Sequence, residues 1–254
     1  MARKKPQPLD KTSFDGIANK FDKNIYGTSK GQLRHTLLLS VLAQYLPDTP
    51  IHILDAGGGT GLMSKAMLEL GHTVTLVDMS ADALDIAKDR LSDYHNVTIV
   101  QDELSNITGQ YDVIICHAVL EWLQEPFQAI SALTRNLKQE GLLSLSFFNH
   151  YAKVFNNLTY GNFDYIQQGM PAKNTVRLNP HNAQSPHKVI DFIAQACELD
   201  ILNTRGIRCI HDYMPDKQKI TDLYSQLLEM EWEYGAKEPY KWLGKYFHIM
   251  LKAR

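Results

Sequence analysis

The chain has 254 residues, 44% hydrophobic and 21% charged, with a formal net charge of −2, which supports one substantial core and excludes general disorder. No stretch approaches the roughly eighteen consecutive apolar residues of a membrane span, and the basic start MARKKPQPLD lacks the apolar run of an export signal, so a cytoplasmic location is expected. Charge is unevenly spread: residues 1–50 hold 8 Lys/Arg against 4 Asp/Glu, 51–150 hold 5 against 13, and 151–254 hold 13 against 11. A polyanionic partner would therefore be gripped by the flanking segments. The three cysteines (Cys116, Cys197, Cys209) match neither a disulfide framework nor a zinc spacing, so they read as reduced and buried, with no metal expected.

In chain order, residues 1–12 read as flexible, and Phe14, Ile17, Ala18 and Phe21 form a helical stripe over 14–23. NIYGTSKGQLR (24–34) reads as a loop that enters a helix running to about Tyr45, stopped by Pro47 and Pro50. Strands are then predicted at 51–56, 73–78, 97–102, 111–117 and 141–149, with helices at 62–70, 80–91 and 126–137 between them. Residues 150–185 carry few periodic signals and many of Asn, Gly, Pro and Tyr. Regular structure resumes with a helix at 187–197, a strand at 201–210, a helix over 217–234 and a last strand at 246–253. Strands alternating with helices at this spacing predict an α/β protein with a doubly wound, mostly parallel sheet.

The strongest local signal is LDAGGGTG, where Asp55 ends the first strand and Gly57, Gly58, Gly59 and Gly61 follow. Glycines there let the backbone turn tightly and approach a ligand. A dinucleotide fingerprint is G-x-G-x-x-G, whereas this run is acidic-x-G-x-G-x-G, and its carboxylate would repel a phosphate. Asp55 suits a ligand bearing an ammonium group, namely the methionine moiety of S-adenosylmethionine. Asp78, closing the second strand, can accept both ribose hydroxyls; Asp102, with Gln101 beside it, can receive the adenine amino group. His117, at the end of the fourth strand, is expected to point at the same crevice, because ligands bind outside the carboxyl ends of such strands. These positions predict a Rossmann-like class I methyltransferase fold: one domain over 1–254, with a seven-stranded sheet, a helical cover at 13–46 and a substrate-side insert at 150–185 after the fifth strand.

Four further stretches, NIYGTSKGQLR (24–34), HAVLEW (117–122), YGNFDYIQQGMP (160–171) and HDY (211–213), resemble the bacterial tRNA 5-carboxymethoxyuridine methyltransferases. The resemblance implies methyl transfer to the carboxylate of 5-carboxymethoxyuridine at the wobble position of the tRNA anticodon loop, giving a methyl ester. It also implies that Arg34 is a cofactor ligand for the methionine carboxylate, sharing one site with Gly57, Gly58, Asp78 and His117, with Gln101–Asp102 at the adenine. Candidates for holding the nucleotide are Tyr26, Lys30, Tyr160, Asn162, Phe163, Tyr165, Lys173, Arg177 and Arg208, and of these Tyr26, Arg177 and Arg208 are candidates for aligning the carboxylate. The loop after Met170–Pro171 is poorer in lysine than in the relatives and keeps only Lys173 and Arg177. Lys237, Lys241, Lys245, Lys252 and Arg254 could extend a phosphate-binding surface or be simply solvated. A carboxylate with a pKa of about 4 is already ionised at pH 7, so no general base is required, which fits the absence of a catalytic dyad. The alternative reading is a methyltransferase of the same class acting on a small metabolite, with 150–185 as a lid.

Overall fold

The apolar run after Pro50 forms β1 (His52–Ala56), followed in the expected rhythm by β2 (Thr73–Asp78), β3 (Val97–Gln101), β4 (Tyr111–His117), β5 (Leu137–Phe148), β6 (Leu199–Ile207) and β7 (Tyr246–Ala253). The computed structural model describes residues 27–171 and 182–254. The strands join in one sheet of order β3-β2-β1-β4-β5-β7-β6. β1 to β5 are mutually parallel, and β7 lies antiparallel between β5 and β6. This is the mostly parallel, seven-stranded architecture that the strand–helix alternation predicts.

Helices cover both faces because the strands alternate apolar residues to both sides. On one side Leu54, Ile114 and Leu145 pack against Ile130 and Leu133 of α4 (Pro126–Arg135) and Val189 and Ile193 of α7 (Pro186–Ala196). On the other, Ile53, Leu76 and Ile115 meet Leu42 of α1 (Ser29–Leu42), Met67 of α2 (Leu62–Glu69) and Leu84 of α3 (Ala81–Arg90). Each such buried aliphatic side chain contributes about 1.5–3 kcal/mol of burial, and together they clamp the strand tips from which the functional loops leave. The three cysteines are buried and unpaired.

The segment after β5 departs from its reading as irregular. It forms α5 (His150–Thr159) and α6 (Phe163–Gln167). The cause is a buried cap: Asn149 Oδ1 accepts from the Tyr151 N–H at 2.9 Å, while its Nδ2 donates to the carbonyls of Trp242 and Gly244 at 2.8 and 2.9 Å. Asn and aromatic residues weaken intrinsic helix propensity, and the tertiary anchoring of the cap overrides it. The stretch 24–34 likewise turns helical earlier than predicted, at Ser29, where Thr28 caps α1, and that helix ends at Leu42 rather than Tyr45. The helix predicted over 217–234 is divided into α8 (Lys217–Asp222) and α9 (Tyr224–Tyr234) by Leu223, whose φ of −110° and ψ of 22° are not helical. β6 stops before Arg208, which takes φ +64°, a conformation outside the strand region. The stripe predicted at 14–23 and the flexible start at 1–12 lie outside the described residues.

Candidate functional site

The strand order reverses between β1 and β4, so the loops after these strands diverge and open a crevice at their carboxyl ends. The crevice has a volume of about 710 Å³, and Gly57, Asp78, Asp102, Val119 and Trp122 are among its walls.

The glycine turn is dictated by close approach. Gly57 takes φ +72°, its N–H donates to the Val77 carbonyl at 2.7 Å, and a Cβ on it would lie 2.5 Å from Val119 Cγ2. A Cβ on Gly58 would lie 2.7 Å from Asp55 Cγ and 2.9 Å from Leu76 Cγ. Gly59 donates its N–H to Asp78 Oδ2 at 2.9 Å, and Ser80 donates its own to Asp78 Oδ1 at 2.9 Å, so the Asp78 carboxylate is oriented by two backbone donors. Gly61, at φ +76°, leads into α2.

Asp55 sits beneath this turn and does not line the crevice. It is 3% exposed and accepts from Ser64 Oγ at 2.7 Å. Burial pushes its carboxyl up to about 6, with the nearby Asp78 acting in the same direction and the Ser64 hydrogen bond opposing. Asp102 does reach the crevice; the side chain of Asn106 and the N–H of Glu103, each 2.7 Å away, hold its carboxyl below the usual range. Gln101 is exposed outside the crevice wall, with Nε2 3.3 Å from the Met79 carbonyl.

His117, next to the crevice-lining Ala118 and Val119 in sequence, and Arg34, on α1, form a second group. The pleat of β4 puts His117 on the same face as Val113 and Ile115, so its imidazole turns under α1 instead of lining the crevice beside Ala118 and Val119. There its Nε2 meets Ser144 Oγ at 2.8 Å, which also meets His248 Nε2 at 2.8 Å. Burial, then His248 and Arg34, hold His117 well below the ordinary imidazole value, so the ring is neutral at pH 7. Arg34 is 8% exposed, with its guanidinium 5.0 Å from the centre of the Tyr246 ring. The fully buried Glu121, which burial pushes up to about 7, feels the same guanidinium in the opposite direction.

The candidate nucleotide residues divide. Tyr160 and Phe163 are exposed, Asn162 Nδ2 donates to Asn157 Oδ1 at 3.0 Å, and Tyr165 donates its hydroxyl to the Pro171 carbonyl at 3.2 Å. All four belong to the α5–α6 hairpin and its flanks. Lys30 is exposed in the first turn of α1. Arg208 is buried and donates to both carboxylate oxygens of Asp212 through its Nε and Nη2. Tyr26, Lys173 and Arg177 lie outside the described residues. Sequence reasoning passed over Val119, Trp122 and Met79, three apolar crevice walls. The only available signal for the first two was their place in HAVLEW, immediately after a strand tip.

This cradle fits an adenosyl group: an oriented carboxylate at the tip of β2, a glycine at 59 where a Cβ would approach only Asp78 Oδ2 at 3.9 Å, and apolar walls on the far side. Residues 54–143 match the family model described as a methyltransferase domain. The tRNA 5-carboxymethoxyuridine methyltransferase of Escherichia coli K12 is 40% identical over 253 residues, covering 94% of this chain and 95% of that one. A ubiquinone biosynthesis O-methyltransferase of Glaesserella parasuis is 33% identical over 128 residues, covering 47% of this chain and 54% of that one. Among solved structures, magnesium protoporphyrin IX methyltransferase of Synechocystis with bound S-adenosylmethionine superposes with a TM-score of 0.65 at 15% identity, covering 98% of this chain and all of that one, and so shares the fold. Similarity at this level along nearly the whole length shows that the chain belongs to the tRNA 5-carboxymethoxyuridine methyltransferase family, S-adenosylmethionine-dependent enzymes of the class I methyltransferase fold.

Proposed function

We propose that this enzyme methylates the carboxylate of 5-carboxymethoxyuridine at the wobble position of the tRNA anticodon loop, working in the cytoplasm as one domain over 1–254. The observation that carries the reading is the 40% identity to the E. coli tRNA enzyme over 94% of the chain. The similarity to the Glaesserella parasuis ubiquinone enzyme covers only 47% of the chain. Among the described residues no helix is long and apolar enough to cross a membrane.

S-adenosylmethionine, bound in the crevice, supplies an electrophilic sulfonium methyl. Asp78 would accept the ribose hydroxyls, Gly57 to Gly59 would let the backbone approach the ligand, and Gly61 would open α2 beside it. Gln101 and Asp102 would meet the adenine edge. Arg34 would pair with the methionine carboxylate, supported by the neutral ring of His117. Asp55 would act across the glycine turn, its negative charge favouring an ammonium.

The substrate carboxylate, with an ordinary pKa of about 4, is ionised at pH 7 and needs no base. Transfer of the methyl would exchange its bond to the sulfonium sulfur for one to the carboxylate oxygen, leaving a neutral thioether and a neutral ester, so exclusion of water by the crevice walls would favour it. What remains for the protein is alignment, worth up to about 7–11 kcal/mol in favourable cases. Tyr160 and Phe163 would stack loop bases splayed out of the RNA, with Asn162 and Tyr165 bracing the hairpin that carries them. Tyr26, Lys30, Lys173, Arg177 and Arg208 are the remaining candidates for positioning the nucleotide.

The test is mass analysis of nucleosides from tRNA carrying 5-carboxymethoxyuridine after incubation with the purified protein and methyl-labelled S-adenosylmethionine. The labelled methyl ester is expected. Protein that binds the cofactor yet leaves the nucleoside unmethylated would refute the substrate assignment.

A further inference from the structure

Cations gather where β5 and β6 end, beside the cofactor cradle. Arg208 makes a two-pronged ion pair with Asp212, with Nε 2.7 Å from Oδ2. Lys245 belongs to the same corner: its N–H donates to the Arg208 carbonyl at 3.2 Å, and its ammonium lies 5.0 Å from the centre of the Phe148 ring. Ser29 Oγ meets His211 Nε2 at 3.3 Å, which brings the first turn of α1, with the exposed Lys30, against this corner. From the other side, the Phe155 ring packs edge-on against Tyr213 at 5.3 Å and brings up α5, which carries Lys153.

The lysines of this corner are under-compensated. Burial holds Lys245 below the ordinary ammonium range; Asp212 opposes this, while Arg208, Lys30 and Lys153 add to it. Asp212, which draws on Lys245, is already committed to Arg208. Among the described residues Lys30, Lys153 and Lys245 form no ion pair, whereas Lys237, Lys241, Lys252 and Arg254 are each matched to an acid. The corner is also continuous with the cofactor side, since the Tyr246 ring has Arg34 at 5.0 Å and Arg208 at 5.8 Å from its centre.

An apolar feature lies alongside. Tyr160 is 70% exposed and Phe163 57%, at the junction of α5 and α6. Bare aromatic rings beside uncompensated cations match a single nucleic-acid strand, whose phosphates need cations and whose bases need stacking partners.

We propose that Lys30, Lys153 and Lys245 bind backbone phosphates of the tRNA strand beside the modified nucleotide, with Tyr160 and Phe163 stacking its neighbouring bases. This rests on the tRNA reading above and commits the cations to phosphate oxygens. A tight cation clamp on the attacking carboxylate would hold back its electron pair, whereas a strand held by its phosphates leaves that oxygen available.

The test titrates two anticodon stem-loop RNAs, one with 5-carboxymethoxyuridine and one with plain uridine, into the full chain and its Lys153→Gln/Lys245→Gln variant. The variant is expected to bind both RNAs more weakly. Its log–log salt slope should be shallower by about 1.4, from about 0.7 per phosphate contact on a single strand, so the deficit narrows about sevenfold between 50 and 200 mM salt. S-adenosylhomocysteine binding reports that the variant is folded, and Lys30→Gln repeats the slope measurement at an exposed position. Equal slopes in parent and variants overturn the inference, as does a deficit confined to the carboxylate-bearing RNA. Either outcome leaves the reaction intact, because methyl ester formation by the parent protein is read separately.

Discussion

Replacing Asp78 separates the ribose contact from the general stability of the fold. Its two carboxylate oxygens each accept one backbone N–H at 2.9 Å, from Gly59 and Ser80. The side chain is only half-buried, so in Asp78→Ala water can take over those donors, and the folding loss is expected at about 1–3 kcal/mol. Cofactor binding suffers more. Two ribose hydroxyls donating to a charged acceptor contribute about 1.5–3 kcal/mol each, so their loss raises Kd roughly 10²- to 10⁴-fold. Asp78→Asn keeps one acceptor oxygen and should fall between parent and alanine variant. Calorimetric titration with S-adenosylmethionine and with S-adenosylhomocysteine supplies the decisive comparison, because the latter lacks the sulfonium charge. Hydrogen bonding to ribose predicts equal losses for both ligands. A Kd within threefold of the parent refutes the assignment of Asp78, and a loss for the sulfonium ligand alone refutes the ribose contact in favour of charge attraction.

Gly57→Ala places a methyl at φ +72° and 2.5 Å from Val119 Cγ2. Left-handed strain and overpacking together should destabilise the protein by about 2–5 kcal/mol, and an unchanged urea midpoint would contradict the packing argument. Burial raises Asp55 to about 6 and Glu121 to about 7, so the folded chain holds more protons than the unfolded chain between pH 4 and 7. Stability conferred by these groups is therefore full below their unfolded values and is lost as pH rises through 6 and 7, by up to about 3 kcal/mol each. Glu121→Gln should flatten the fall of melting temperature over this window, and a curve parallel to the parent's would argue against a proton on Glu121.

Much of the architecture was legible because it is written in neighbouring residues. Alternating apolar strands and helices, a glycine run after one strand tip and an aspartate closing the next are local patterns, and the backbone physics that reads them acts over a few residues. Thus β1, β2, the Gly57 turn and Asp78 emerge from the chain alone, and so does the parallel succession of the first five strands. The position of β7 between β5 and β6 depends instead on pairing between residues about a hundred positions apart, such as Ser144 with Met250. Long-range pairing likewise supplies the surroundings of His117, bringing Ser144 to its ring and His248 to the same hydroxyl. Arg208 is a plain surface-type residue in sequence, yet folding buries it against Asp212. Side-chain direction and charge pairing follow from which distant segments meet, and that is settled only when burial on both faces of the sheet selects a single register.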